Sequence, residues 1–188
     1  MRLHIPSLLI GVAFFLGMAM ASPAPQVPAN AGLTQAQRDI LNLLSIEYFD
    51  DCGGGPGYKT LRVTGANFQV VNGLGTTNTT NGLGNLLIGY QESAFATCDH
   101  SGSHNIVGGI DSDYASYGGA VLGTNNYING ILASVLGGQS NTGSGWNSVI
   151  VGGEGSLTLG SMSVLSGGHN RLTNGVHDWV AGGLMQDM

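Results

Sequence analysis

The stretch "SVLGGQSNTGSGWNSVIVGGEGS", residues 134–156, writes an aliphatic pair, then Gly-Gly, then a run of small polar residues, and then does so again. A catalytic pocket needs no such rhythm, whereas a stack of near-identical coils does. Working outward, the glycine that closes each aliphatic run recurs as Gly89, Gly108, Gly123, Gly137, Gly152, Gly167 and Gly182. The last five intervals are 15, 14, 15, 15 and 15 residues, and the first, which holds Cys98, is 19. Two positions before each glycine stand Leu87, Ile106, Val121, Val135, Ile150, Leu165 and Val180, aliphatic every time. A second glycine column, Gly130, Gly145, Gly160 and Gly175, repeats every 15 residues.

A helix needs apolar residues every three or four positions, and Gly-Gly pairs would break it. A coil of about 15 residues fits two short strands and two tight turns, with glycine supplying positive φ at the corners. The spacing therefore predicts an all-β fold, a parallel β-solenoid over residues 59–183, with the aliphatic column stacked inside as its core. At ~4.8 Å per rung, seven rungs make a rod on the order of 34 Å long. Asn105, Asn125, Asn126, Asn141 and Asn170 suit turns and can form hydrogen-bonded ladders between rungs. Leu132, Val149, Val164 and Trp179 are left over, often on the other strand parity. That pattern implies a second buried face, most simply against another copy of the chain.

The N-terminal part reads differently. Arg2 and His4 precede an apolar run from Leu8 to Met20, and Ala19 and Ala21 set up a small-residue cleavage pattern before Ser22. Residues 1–21 thus read as a secretory signal peptide, and no second apolar run supplies a membrane span. Residues 22–32 form a Pro-rich linker. Residues 33–49 read as one short α-helix: Thr34 and Gln37 make a capping-box pair, and Leu33, Gln37, Ile40/Leu41, Leu44 and Tyr48 follow 3-4 spacing. Its stripe must pack on the domain's own body or on sister chains. "KTLRVTGANFQVVNGLG" then changes period to two. Cys52 and Cys98 are the only cysteines, which in an exported chain suggests a disulfide rather than two free thiols. A loop that long is stabilised by roughly 3–4 kcal/mol.

Composition excludes several classes. The formal net charge is −6, with 11 acidic residues and no basic cluster, which argues against nucleic acid or an anionic membrane as partner. Charged residues make up 9% and 33 positions are Gly, but hydrophobics reach 42% and are periodic, as disorder does not require. No G-x-S-x-G elbow appears, and "GLGNLLIG" is only a broken dinucleotide loop. The turns carry Asn, Ser and Thr where calcium-binding rolls need Asp. No cofactor is expected. Cys98, His100 and His104 in "CDHSGSH" have spacing that can hold zinc, although Cys98 cannot be both a ligand and a disulfide partner. His177 beside Asp178, with His169 in the same coil, is a weak acid–base hint of a kind surface turns commonly carry.

"NSVIVGGEGSLTLGS" and "ASVLGGQSNTGSG" resemble the head repeats of trimeric autotransporter adhesins, a haemagglutinin-like motif with S-V-x-x-G and Asn/Ser-rich turns. The resemblance covers about residues 59–183. It implies a left-handed parallel β-roll, three chains side by side, display outside a bacterial cell, and adhesion to host matrix or to one another. Those adhesins also carry a coiled-coil stalk and a membrane β-barrel, which are not seen here. The expectation is a secreted, non-enzymatic structural or adhesive solenoid that self-associates as a homotrimer or end to end, with matrix or glycan as further partners. The alternative is a glycan- or ice-binding module, which would want aligned threonines, whereas these cluster in "TTNTTNG".

Overall fold

The computed structural model describes residues 32–49, 57–92 and 98–182. The signal-peptide and most of the linker readings, and Cys52, lie outside them. The chain divides into two units, residues 1–67 and 68–188.

In the first unit, α1 spans Gln35–Asn42 and starts with the expected capping box: the Thr34 N–H donates to Gln37 Oε1 (2.8 Å), and the Gln37 N–H donates to Thr34 Oγ1 (3.3 Å). The helix does not reach residue 49. Residues Leu44–Phe49 form strand β1, which pairs antiparallel with β2 (Tyr58–Val63). "LSIEYF" alternates apolar and polar as well as continuing a helical stripe, and a partner strand of matching alternation decides for β. Leu44 faces Val63 and Ile46 faces Leu61 across one face, while Ser45 faces Arg62 and Glu47 faces Thr60 across the other. On the polar face Arg62 pairs with Glu47 at 2.8 Å, and its guanidinium lies 5.3 Å from the centre of the Phe49 ring.

The second unit is the solenoid, with about five turns. Its strands are, in order, β3 (Leu86–Ile88), β4 (Ile106–Ile110), β5 (Asp113–Tyr114), β6 (Ala120–Thr124), β7 (Tyr127–Ile128), β8 (Ser134–Val135), β9 (Thr142–Gly143), β10 (Val149–Glu154), β11 (Leu157–Thr158), β12 (Val164–His169), β13 (Leu172–Thr173) and β14 (Trp179–Ala181). They stack into a wide parallel sheet of seven strands (β3, β4, β6, β8, β10, β12, β14) and a narrow parallel sheet of five (β5, β7, β9, β11, β13).

The core lies between the sheets. Val107, Val121, Val135, Ile150 and Leu165 from the wide sheet are fully buried. They face Tyr114, Ile128, Gly143, Thr158 and Thr173 from the narrow one. The core changes character along the stack: Tyr114 and Ile128 fill it at the start, while later coils close with hydroxyl pairs, Ser148–Thr158 and Ser163–Thr173, each at 2.8 Å.

The expected column is corrected at one rung. Val107, not Ile106, pairs with Val121, and Ile106 faces outward, 48% exposed. Leu87 shares the register but, on the first rung, is exposed. The Gly108-Gly109 pair offers two alignments, and equal spacing selected the wrong one. Coil length is not constant: Val107 to Val121 and Val121 to Val135 are 14 residues, and later coils are 15. The added residue is Gly137, Gly152 or Gly167, inserted in the wide strand, with a register irregularity around Gly152. The glycine that turns each strand into the corner is therefore Gly89, Gly109, Gly123, Gly138, Gly153 and Gly168, all at positive φ. Of the expected turn glycines, Gly89, Gly123 and Gly167 are at positive φ, whereas Gly108, Gly137, Gly152 and Gly182 are not. The second glycine column has another cause, close stacking: a Cβ on Gly145 would lie 2.1 Å from the Gly160 carbonyl oxygen.

Asparagines hold the corner before the narrow sheet. Asn126 and Asn141 are buried, and Asn126 Oδ1 accepts from the Asn141 N–H (2.8 Å). Asn141 Oδ1 accepts from the Ser156 N–H (3.0 Å), and Ser156 Oγ from the Arg171 N–H (3.2 Å). Asn105 plays a similar part at the opposite corner, accepting from the Gly119 N–H at 2.8 Å. Asn125 and Asn170 are instead the left-handed residues of the turn (φ 53° and 54°), and each N–H donates to a carbonyl one rung back.

Candidate functional site

Two regions combine chemistry or exposure in ways the fold alone does not require. The first is the loop before β4, which stacks on β5, the first strand of the narrow sheet. His100 stacks flat on Tyr114, ring centres 4.8 Å apart and planes within 7°, and its Nε2 is 3.6 Å from Asp113 Oδ1. The same Asp113 oxygen accepts from the Asp99 N–H (2.9 Å), and Asp99 Oδ1 accepts from the Ser101 N–H (3.1 Å) and hydroxyl (2.6 Å). Burial raises the Tyr114 pKa, and the charges of Asp113 and Cys98 add to the rise. Burial also raises Tyr127, with Asp99 and Asp113 adding to it and a hydrogen bond from Asn129 opposing. These groups are committed to one another and to backbone, so the cluster braces the loop.

The zinc trio is not assembled. His104 turns away from His100: its Nε2 accepts from the Asn72 N–H (3.2 Å), and Nδ1 lies 3.1 Å from the Thr77 carbonyl oxygen. That pairing requires the neutral ring protonated on Nδ1. His104 thereby ties the 72–77 loop to the solenoid, beside a hollow of about 520 Å³ lined by residues 69–73 and 75–77. Among the described residues no group of three His, Cys, Asp or Glu is placed to hold a metal. Cys98 is exposed and makes no disulfide among the described residues, and Cys52 lies outside them. Asp178 accepts from the Gly175 N–H (2.7 Å), so it caps its own turn and does not orient His177.

The second region is the outer face of the wide sheet. Two residues flank the core position on each rung and point outward. They run Leu86/Ile88, Ile106/Gly108, Ala120/Leu122, Ser134/Leu136, Val149/Val151, Val164/Ser166 and Trp179/Ala181. None is charged. Val151 is 52% exposed and Trp179 70%. The face is levelled by its own side chains: Leu122 leans over Gly108, and Trp179 Nε1 donates to Ser166 Oγ (2.9 Å). A sheet face turned to water normally alternates to polar residues, and this one does not. Of the residues left over by the core column, Val149, Val164 and Trp179 lie on this face, whereas Leu132 lies in the turn before β8.

Among the described residues no helix is long and apolar enough to cross a membrane. No protein-family model, curated protein or solved structure matches the chain.

Proposed function

We propose that the chain is a non-enzymatic, self-associating structural solenoid that works outside the cell, three copies packing side by side with their wide-sheet faces turned inward. The observation that carries this reading is the uncharged apolar outer face of the wide sheet, which runs the length of the stack. An apolar patch of this extent on a soluble chain marks a contact surface. Export rests on the leader read in residues 1–21. Display at a bacterial surface, with matrix or glycan as the bound partner, follows from the resemblance to adhesin heads. The glycan- or ice-binding alternative draws no support from the threonines, since Thr158 and Thr173 are buried inside the coil.

The test is the solution mass of the chain from Ser22 onward, by light scattering after size exclusion. Three chains per particle is the expected result. A particle of one chain at every concentration would refute the reading.

A further inference from the structure

The two corners of the coil are chemically unequal. Each holds one residue per rung in the left-handed region, and from Gly118 onward its N–H donates to a carbonyl one rung back. Before the narrow sheet these residues are Asp111, Asn125, Ser140, Gly155 and Asn170, polar or glycine throughout. Before the wide sheet they are Gly84, His104, Gly118, Leu132, Asn147, Met162 and His177. Leu132 (φ 58°) and Met162 (φ 54°) are the anomaly. A non-glycine side chain in this region costs about 1–2 kcal/mol, which Asn and Gly largely avoid.

Nothing inside the coil asks for leucine or methionine there. Gly118 and Asn147 make the same backbone bond, at 3.2 and 2.9 Å. Leu132 and Met162 point to the surface, 39% and 40% exposed. The turn tips beside them, Ile131, Trp146 and Val176, are exposed as well, and Leu132 lies over Gly118 along the stack. The result is an apolar ridge with no charged residue from Tyr117 to Met162 in either the tip or the left-handed column. Strain kept for the sake of an exposed apolar side chain points to a contact.

We infer that this ridge is one half of a heterologous contact, and that the other half is the wide-sheet face of a second copy of the chain. The inference rests on the self-association proposed above. A closed ring of three uses two different patches on each copy. The wide-sheet face is one, the corner before the narrow sheet is polar, and the ridge runs directly into the wide strands at Ser134 and Val149. Ridge and face share one rise per rung, so a parallel copy meets the ridge rung for rung, a match an unrelated partner has no reason to offer. Trp146 on the ridge and Trp179 on the face, 46% and 70% exposed, are large aromatic anchors of the kind such a contact uses.

The experiment uses the chain from Ser22 onward, with Trp146→Glu on the ridge and Val151→Glu on the face. Wild type should weigh three chains and each variant alone one. An equimolar mixture of the variants should weigh two, because one intact ridge still meets one intact face and the ring cannot close. The double variant Leu132→Asn/Met162→Asn, which suits left-handed backbone, should also fall to one chain while keeping its far-UV circular dichroism. A ridge variant that keeps the wild-type mass, or a mixture that stays at one chain, overturns the inference and leaves self-association standing. A wild type of one chain overturns both.

Discussion

Asn141 is the position where the solenoid reading can be tested most sharply by stability. Its side chain is fully buried, and its Nδ2 donates to Gly153 O (2.9 Å) and Asn126 Oδ1 (3.2 Å) while Oδ1 accepts from the Ser156 N–H (3.0 Å). Asn141→Ala removes all of these. The Gly153 carbonyl still accepts from the Gln139 N–H at 2.9 Å, so the buried Ser156 N–H is the group left without a partner. An orphaned buried donor costs about 1–3 kcal/mol and the two other lost bonds about 1 each, so the total is ~3–5 kcal/mol. Asn141→Ser should cost about half as much, because Ser156 already shows a hydroxyl accepting from the next rung. Asn125→Ala is the control: its side chain is exposed and makes one bond, to Ser140 Oγ at 3.1 Å, so the cost is ~1 kcal/mol, mostly left-handed strain. Urea titration followed by circular dichroism, at one fixed protein concentration, measures all three. An Asn141→Ala cost within about 0.5 kcal/mol of the Asn125→Ala cost would sink the ladder argument.

The corrected register predicts that Val107→Asp abolishes folding while Ile106→Asp leaves the coil intact, as circular dichroism of the two variants would show; equal damage would return Ile106 to the core. Thr158→Val strands the buried Ser148 hydroxyl and should cost about 1–3 kcal/mol, whereas Ser148→Ala/Thr158→Val together should cost less than the single change, by urea titration. Tyr114, with its pKa raised from 10.0 chiefly by burial, is held neutral in the fold. The unfolded chain loses that proton first as pH rises, so stability is full below pH ~10 and falls above it. Tyr114→Phe should flatten that alkaline decline in urea midpoint, and an unchanged slope would count against it.

The repeat was legible because a solenoid writes its cross-section into the sequence once per rung. Val121, Val135, Ile150, Leu165 and Val180 fall in the register that spacing assigned them. Ile106 did not, because Gly108-Gly109 permits two alignments and only the pairing of Val107 with Val121 chooses between them. Strand β1 was hidden by a segment whose apolar residues satisfy both periods, which only contact with β2 resolves. The asparagines were legible as ladder material, but not which of Asn125 and Asn126 turns the chain and which bonds the rungs. The ridge left a weaker trace. Leu132 and Met162 look like ordinary apolar residues until the backbone shows them at positive φ.

The graded core gives the outer face its importance. From Ile150 onward each rung buries one aliphatic side chain from the wide sheet against a threonine, and the hydroxyl pairs spend that space on satisfied polar groups. Such pairs fix register but add little hydrophobic stabilisation. Neighbouring rungs contact only one another, so a strong first coil cannot compensate for weak later ones. The outer face is apolar along the whole stack, with Leu86, Ile88, Ile106 and Leu136 exposed on the early rungs and Val151 and Trp179 on the later ones. Its burial in the proposed assembly would therefore add most to stability where the inside of the coil offers least. If the copies assemble as proposed, dilution below the assembly threshold should raise hydrogen exchange in β12 and β14 before β4 and β6, with the coils still folded.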